Sequence, residues 1–143
     1  MSMKHFIQAA ALALSITVVT GCAVTAAPAR HKVVFQVSDG EAAKWNLALN
    51  NAKNVQQEYG GADKVDIEIV AYGPGIGMLK ADATTSNGIA SAAKSGIQVV
   101  ACENTMTAQK LTKADMNAAI GYVPAGVVEL MKRQREGWAY IRP

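Results

Sequence analysis

Short apolar, β-rich runs alternate with helical stretches along the chain from residue 32 onward, and this alternation limits the fold more than any other feature. "HKVVFQVSDGE" opens the series with a strand over Val33–Val37. It ends at Ser38-Asp39-Gly40-Glu41, which has the Ser-x-x-Glu form of a capping box. From Glu41 to Tyr59 the apolar residues Trp45, Ala48, Leu49, Ala52, Val55 and Tyr59 recur every three or four positions, the spacing of an amphipathic helix. Gly60-Gly61 then stops it. "VDIEIVAY" gives a second strand, followed by the glycine-rich "GPGIGMLKADATTSNG", read as a loop with a short helical turn near Met78. "IASAAKSG" gives a small-residue helix, and "IQVVAC" a third strand ending at Cys102. "NTMTAQKL" reads as a helix, Thr112-x-x-Asp115 as a second cap, and "AIGYV" as a fourth strand. A helix over Pro124–Glu136 and a last strand, "WAYIR", complete the chain.

Strands that alternate with helices pair in parallel, which predicts a three-layer α/β/α sandwich with about five mostly parallel strands. The first strand has few charges and the third none, as buried central strands should.

The segment before this domain has a different character. "MSMKHFIQAAALALSITVVTGCAV" carries a basic start at Lys4 and an apolar run from about Phe6 to Val19, the pattern of a signal peptide. The run is short for a membrane span, which needs about 20 residues. Two processing readings are open. Val19-Thr20-Gly21-Cys22 resembles a bacterial lipobox, in which Cys22 is acylated and becomes the new N-terminus. Val24-Thr25-Ala26 resembles an ordinary cleavage site that would remove Cys22. The lipobox reading is preferred. It divides the chain into a signal peptide over 1–22, a tether over 23–31 and a domain over 32–143, with export to the periplasm and attachment to a membrane through the N-terminal lipid alone.

Composition excludes several classes. The formal charge of +3 falls to +2 once residues 1–21 are removed, since Lys4 is the one charged residue there. No basic stripe with interleaved aromatics is present, so a nucleic-acid partner is not expected. The two histidines are His5 and His31, which leaves the exported part with His31 and Cys102 as its only imidazole and thiol, too few for a zinc site. No Cys-x-x-Cys occurs, which removes a thioredoxin-type dithiol. Gly73-Pro74-Gly75-Ile76-Gly77 has neither dinucleotide nor Walker spacing and reads as a tight turn. The asparagines Asn50, Asn51 and Asn54 read as a solvated or helix-packing face. No cofactor or metal is called for.

Cys102 remains. Cys22 is either acylated or removed, so Cys102 has no intrachain partner. Functional groups of parallel α/β sheets gather at the carboxyl ends of strands, and Cys102 lies at such an end, just before a helix whose N-terminus favours a thiolate. A buried cysteine acting as a small hydrophobe is the competing reading. Glu103 argues against a low pKa, because a neighbouring carboxylate opposes the anion.

"KWNLALNNAKNV", "IEIVAYGPGIGML", "GIQVVACENTM" and "YVPAGVVELMKRQREGWAYIRP", in this order, resemble the DsrE/DsrF-like family of small sulfur-relay proteins. The resemblance implies a flavodoxin-like α/β/α fold and a homo-oligomer, often a trimer or hexamer. It also implies a cysteine, here Cys102, that accepts sulfane sulfur as a persulfide from a donor protein and passes it to an acceptor. In that reading the loop at Gly73, Pro74 and Gly75 and the helix start at Asn104 and Thr105 line the sulfur. The alternative is a non-catalytic binding or scaffold subunit of the same fold, tethered by its lipid, with Cys102 as packing.

Overall fold

A computed structural model describes residues 30–143. The signal segment, Cys22 and residues 23–29 of the expected tether lie outside the described residues. Five strands form one sheet: β1 His31–Val37, β2 Val65–Ala71, β3 Gln98–Cys102, β4 Gly121–Val123 and β5 Ala139–Ile141. Their order is β4-β3-β2-β1-β5, and every pairing is parallel. The layering is that expected from the strand–helix alternation. The order reverses between β1 and β5, whereas in flavodoxin it reverses between the first and third strands. The helices are α1 Ala42–Glu58, α2 Ser86–Lys94, α3 Glu103–Ala108 and α4 Gly126–Arg135.

The two faces of the sheet are covered unequally. Side chains alternate sides along each strand. Phe35, Ile67, Ile69 and Ala101 point to the larger core, where Ala48 and Ala52 of α1, Ile89 of α2 and Met106 of α3 pack on them. Val34, Val70 and Val100 point to a smaller core, closed by Leu130 of α4 and by Trp138. Cys102 is two residues beyond Val100 and shares its side. The reactive-residue candidate therefore belongs to the face that α4 covers.

Several local expectations are corrected. Ser38 does not cap α1: the helix starts later, with Glu41 at the N-cap and no side-chain cap bond. The intervening loop is held otherwise, by the Trp45 indole N–H donating to Asp39 O at 2.7 Å and by Arg142 pairing with the Asp39 carboxylate at 3.4 Å. His31, assigned from sequence to the tether, is the first residue of β1 and stacks on Tyr59 with ring centroids 4.1 Å apart. Pro124 lies before α4 rather than within it, since Ala125 is the N-cap. The Thr112–Asp115 box is formed, with the Asp115 carboxylate accepting from the Thr112 N–H at 2.7 Å.

The glycine-rich stretch is more ordered than a loop. Gly73–Leu79 is a 3-10 helix that buries Ile76, Met78 and Leu79. A tight turn requires close backbone approach, and here it occurs at Gly75: a Cβ there would stand 2.3 Å from Val37 O and 2.7 Å from Val37 C. Gly75→Ala should therefore destabilise the protein by about 1–3 kcal/mol or more through overpacking. Denaturant unfolding measures this, and a variant as stable as the parent would show that the two backbones are not in contact.

Candidate functional site

Cys102 ends β3 and is at the same time the N-cap residue of α3, with extended backbone at φ −75°, ψ 112°. It is the free cysteine among the described residues. Two helices begin over it. α3 follows directly, and α4 arrives from the neighbouring strand, because Cys102 pairs with Val123 of β4. The Asn104 N–H donates to Pro124 O at 3.1 Å and ties the two helix starts together. This covering leaves Cys102 only 5% exposed.

Thr105 links the sulfur to the glycine-rich segment. Its hydroxyl oxygen accepts from the Gly73 N–H at 3.0 Å. Gly73 has φ +52°, a left-handed conformation that suits glycine, and its carbonyl accepts from the Gln109 side-chain amide at 3.1 Å. With one lone pair of the hydroxyl engaged by Gly73, its single proton is free for the sulfur.

Burial alone would push the Cys102 thiol up. It is instead held below the ordinary thiol value, because donors outweigh burial: the Thr105 hydroxyl, then the N–H groups of Gly126, Thr105 and Asn104. Asn104 and Thr105 stand at the second and third positions of α3, the positions whose N–H groups an N-cap side chain serves. The resting thiol closes no such cap bond; the Thr105 N–H is directed to the anion, and the Asn104 N–H is shared between it and Pro124 O. The charge is thus stabilised chiefly by fixed dipoles, with no cationic side chain among its leading causes.

Glu103 does not oppose the thiolate as its position in the sequence suggests. Its carboxylate turns to Lys113, with N···O 3.8 Å, and is not among the leading causes that shift Cys102. Lys113 also sits 4.5 Å above the Tyr122 ring.

The sequence-derived set divides in two. Gly73, Asn104 and Thr105 gather at Cys102. Pro74 and Gly75 turn to the end of β1 and the loop after it instead, Pro74 against Gly40 and Gly75 against Val37. Gly126 was not anticipated, because a backbone N–H leaves no mark in a sequence. A Cβ at Gly126 would fall 3.2 Å from Tyr72 and 3.3 Å from Val70, so its lack of a side chain is what brings α4 close. Two surface clefts lie elsewhere. One, of about 320 Å³, runs between α1 and α2 past Asn50 and Lys53. The other, of about 510 Å³, opens beside Gln98 and Gly121. Among the described residues no three His, Cys, Asp or Glu side chains gather as metal ligands.

The family model of the DsrE/DsrF-like family matches residues 31–143. The chain belongs to that family. Among solved structures it is similar to protein MTH1491 of Methanobacterium thermoautotrophicum, of unknown function. The two share 32% identity and a TM-score of 0.75, over 79% of this chain and 99% of the other. It also shares its fold with protein BT1422 of Bacteroides thetaiotaomicron, likewise of unknown function, at 16% identity and a TM-score of 0.64. That match covers 78% of this chain and 94% of the other. No curated protein matches. Sulfur relay is the broad role that the DsrE/DsrF-like family suggests.

If donors hold the thiolate, Thr105→Val should slow iodoacetamide labelling of Cys102 at neutral pH several-fold and move its pH profile upward. Glu103→Gln should leave that profile unchanged, because its charge faces Lys113. A profile that ignores Thr105 and follows Glu103 would reverse the assignment.

Proposed function

We propose that this DsrE/DsrF-like protein is an exported sulfur carrier in which Cys102 holds sulfane sulfur as a persulfide. The observation that carries the reading is the meeting of two helix starts and the Thr105 hydroxyl on one thiol, which lowers its pKa in spite of burial. A thiolate is the species that attacks sulfane sulfur. In the step, Cys102 Sγ⁻ attacks the outer sulfur of a donor persulfide. An Sγ–S bond forms as the donor S–S bond breaks, and the donor leaves as a thiolate with that electron pair. The reverse reaction toward an acceptor thiolate returns Cys102 to its starting state. Neither direction needs a cofactor or a net change in oxidation.

The same donors suit the product, whose terminal sulfur is also anionic. The test is intact mass after incubation with a small-molecule persulfide. Wild type should become one sulfur atom heavier, reversibly on adding reductant, and Cys102→Ser should not. An unchanged wild-type mass would leave the other reading, a scaffold subunit with Cys102 as packing. The observation in favour of that second reading is the 5% exposure of Cys102.

The Val19-Thr20-Gly21-Cys22 run supports an acylated Cys22 that anchors the periplasmic protein to a bacterial membrane. Lipid chains of this kind bind stably because each buried methylene contributes about 0.8 kcal/mol. Assembly into a homo-oligomer, a trimer or hexamer, is supported by the outward stripe on α4, where Val127, Val128 and Met131 are 52%, 61% and 58% exposed. Expression of the full-length gene with labelled fatty acid should give a labelled, membrane-bound product. Light scattering on the detergent-extracted protein should give a multiple of the chain mass. An unlabelled soluble product would overturn the anchor, and a monomer at micromolar concentration would overturn the assembly.

A further inference from the structure

Among the described residues, one buried charge lies outside the site. Glu68 sits in the middle of β2, between Ile67 and Ile69, and is 1% exposed. By strand alternation it faces α4, in the row Val34–Glu68–Gln98. Its carboxylate accepts a charge-assisted bond from the Arg133 Nε–H. Arg133 also pairs with Glu129 at 2.8 Å and Glu136 at 3.3 Å, and its guanidinium lies 4.7 Å from the centre of the Trp138 ring. Trp138 Nε1 has no hydrogen-bond partner, so the ring is held by that stacking and by apolar contacts.

The two ends of α4 therefore have different partners. Its first residue, Gly126, gives an N–H to Cys102, and Arg133 near its last turn is pinned to the sheet through Glu68. The separation is roughly 10 Å along the helix axis. The α3 donors, Asn104 and Thr105, follow Cys102 in the chain and are placed by local geometry. Gly126 comes from a different element: the Val123 pairing and the Asn104–Pro124 bond bring the start of α4 to Cys102, and contacts along the helix must set its tilt. Few are available, for the apolar layer under α4 contains only five buried residues: Val34, Val70, Val100, Leu130 and Trp138. A buried ion pair is a large part of what holds such a helix in one position.

We infer that Glu68 and Arg133 are positioning residues for Cys102: their pair fixes the far end of α4 to β2 and so holds the Gly126 N–H over the sulfur. The pair touches neither sulfur nor substrate. Its effect travels through a rigid helix, so its loss should weaken one of the donors that act on the thiolate while leaving the α3 donors in place. This rests on the reading of Cys102 as a stabilised thiolate.

Removing one partner alone would strand a buried charge and destabilise the fold, whereas replacing both by apolar residues of similar volume is often tolerated. The test variant is therefore Glu68→Met with Arg133→Met and Glu129→Gln, which also removes the nearly buried Glu129 charge that Arg133 pairs, compared with wild type by circular dichroism and by the pH dependence of Cys102 alkylation. A folded triple variant should label several-fold more slowly at neutral pH, with its profile displaced upward. Arg133→Lys serves as a second variant if the first fails to fold: it keeps a positive charge but loses the Nε–H that joins Glu68 and Glu129, and its profile should move in the same direction by less. An unchanged profile in whichever of these variants folds would overturn the inference. An ordinary thiol profile in wild type would instead overturn the proposed thiolate, so the two failures are distinguishable.

Discussion

A sulfur withdrawn from water at the end of a buried strand stays ionisable only if other donors replace the water it has lost. At Cys102 they do, and much of the architecture around it serves that replacement. Parallel pairing of β3 with β4 puts Val123 beside Cys102, so the chain leaving β4 must turn into α4 directly above the thiol. The Asn104 N–H to Pro124 O bond then locks this turn to the start of α3. The result is a thiol with fixed dipoles around it and little solvent. Dipoles of this kind need no reorganisation when charge appears, and they are stronger in a dry setting than in water. Burial and activation, which compete at most cysteines, are reconciled here by geometry.

The cost of this arrangement falls on α4. On the opposite face of the sheet, α1, α2 and α3 share a broad apolar core. α4 has a narrow one, and much of its outer surface is apolar and exposed. Its position depends on a few strong contacts: Gly126 set flush against Tyr72, Leu130 in the core, and Arg133 on Glu68. The exposed Val127, Val128 and Met131 lie on the same helix whose start covers the thiol. An assembly that buried this stripe would also stiffen the site.

The strands were legible in the sequence because central parallel strands are buried on both sides and read as continuous apolar runs. β4 and β5 were read too long, since edge strands pair over only three residues each, and Trp138 serves the α4 core instead of the sheet. The Gly73–Leu79 helix was read only as a short turn near Met78, because glycine and proline announce a turn while tertiary contacts at Gly75, Ile76 and Leu79 decide its form. Cys102 stood out from its place after an apolar run and before a helix, and Asn104, Thr105 and Gly73 followed from it. The direction of the Glu103 side chain did not, because adjacency in sequence does not give it. Glu68 carried a usable signal, a lone carboxylate inside "IEIV" that demanded a counter-charge, but Arg133 is 65 residues away and only the fold brings it near.

The central claim is that Cys102, though buried, ionises more readily than a free thiol. Its most direct measurement is the pH titration of thiolate ultraviolet absorbance in the native protein, with Cys102→Ser subtracted to remove the tyrosine background. A single native-state step with a midpoint below the free-cysteine value of about 8.5 is the predicted result. A midpoint at or above that value, or a thiolate that forms only after unfolding, would contradict it.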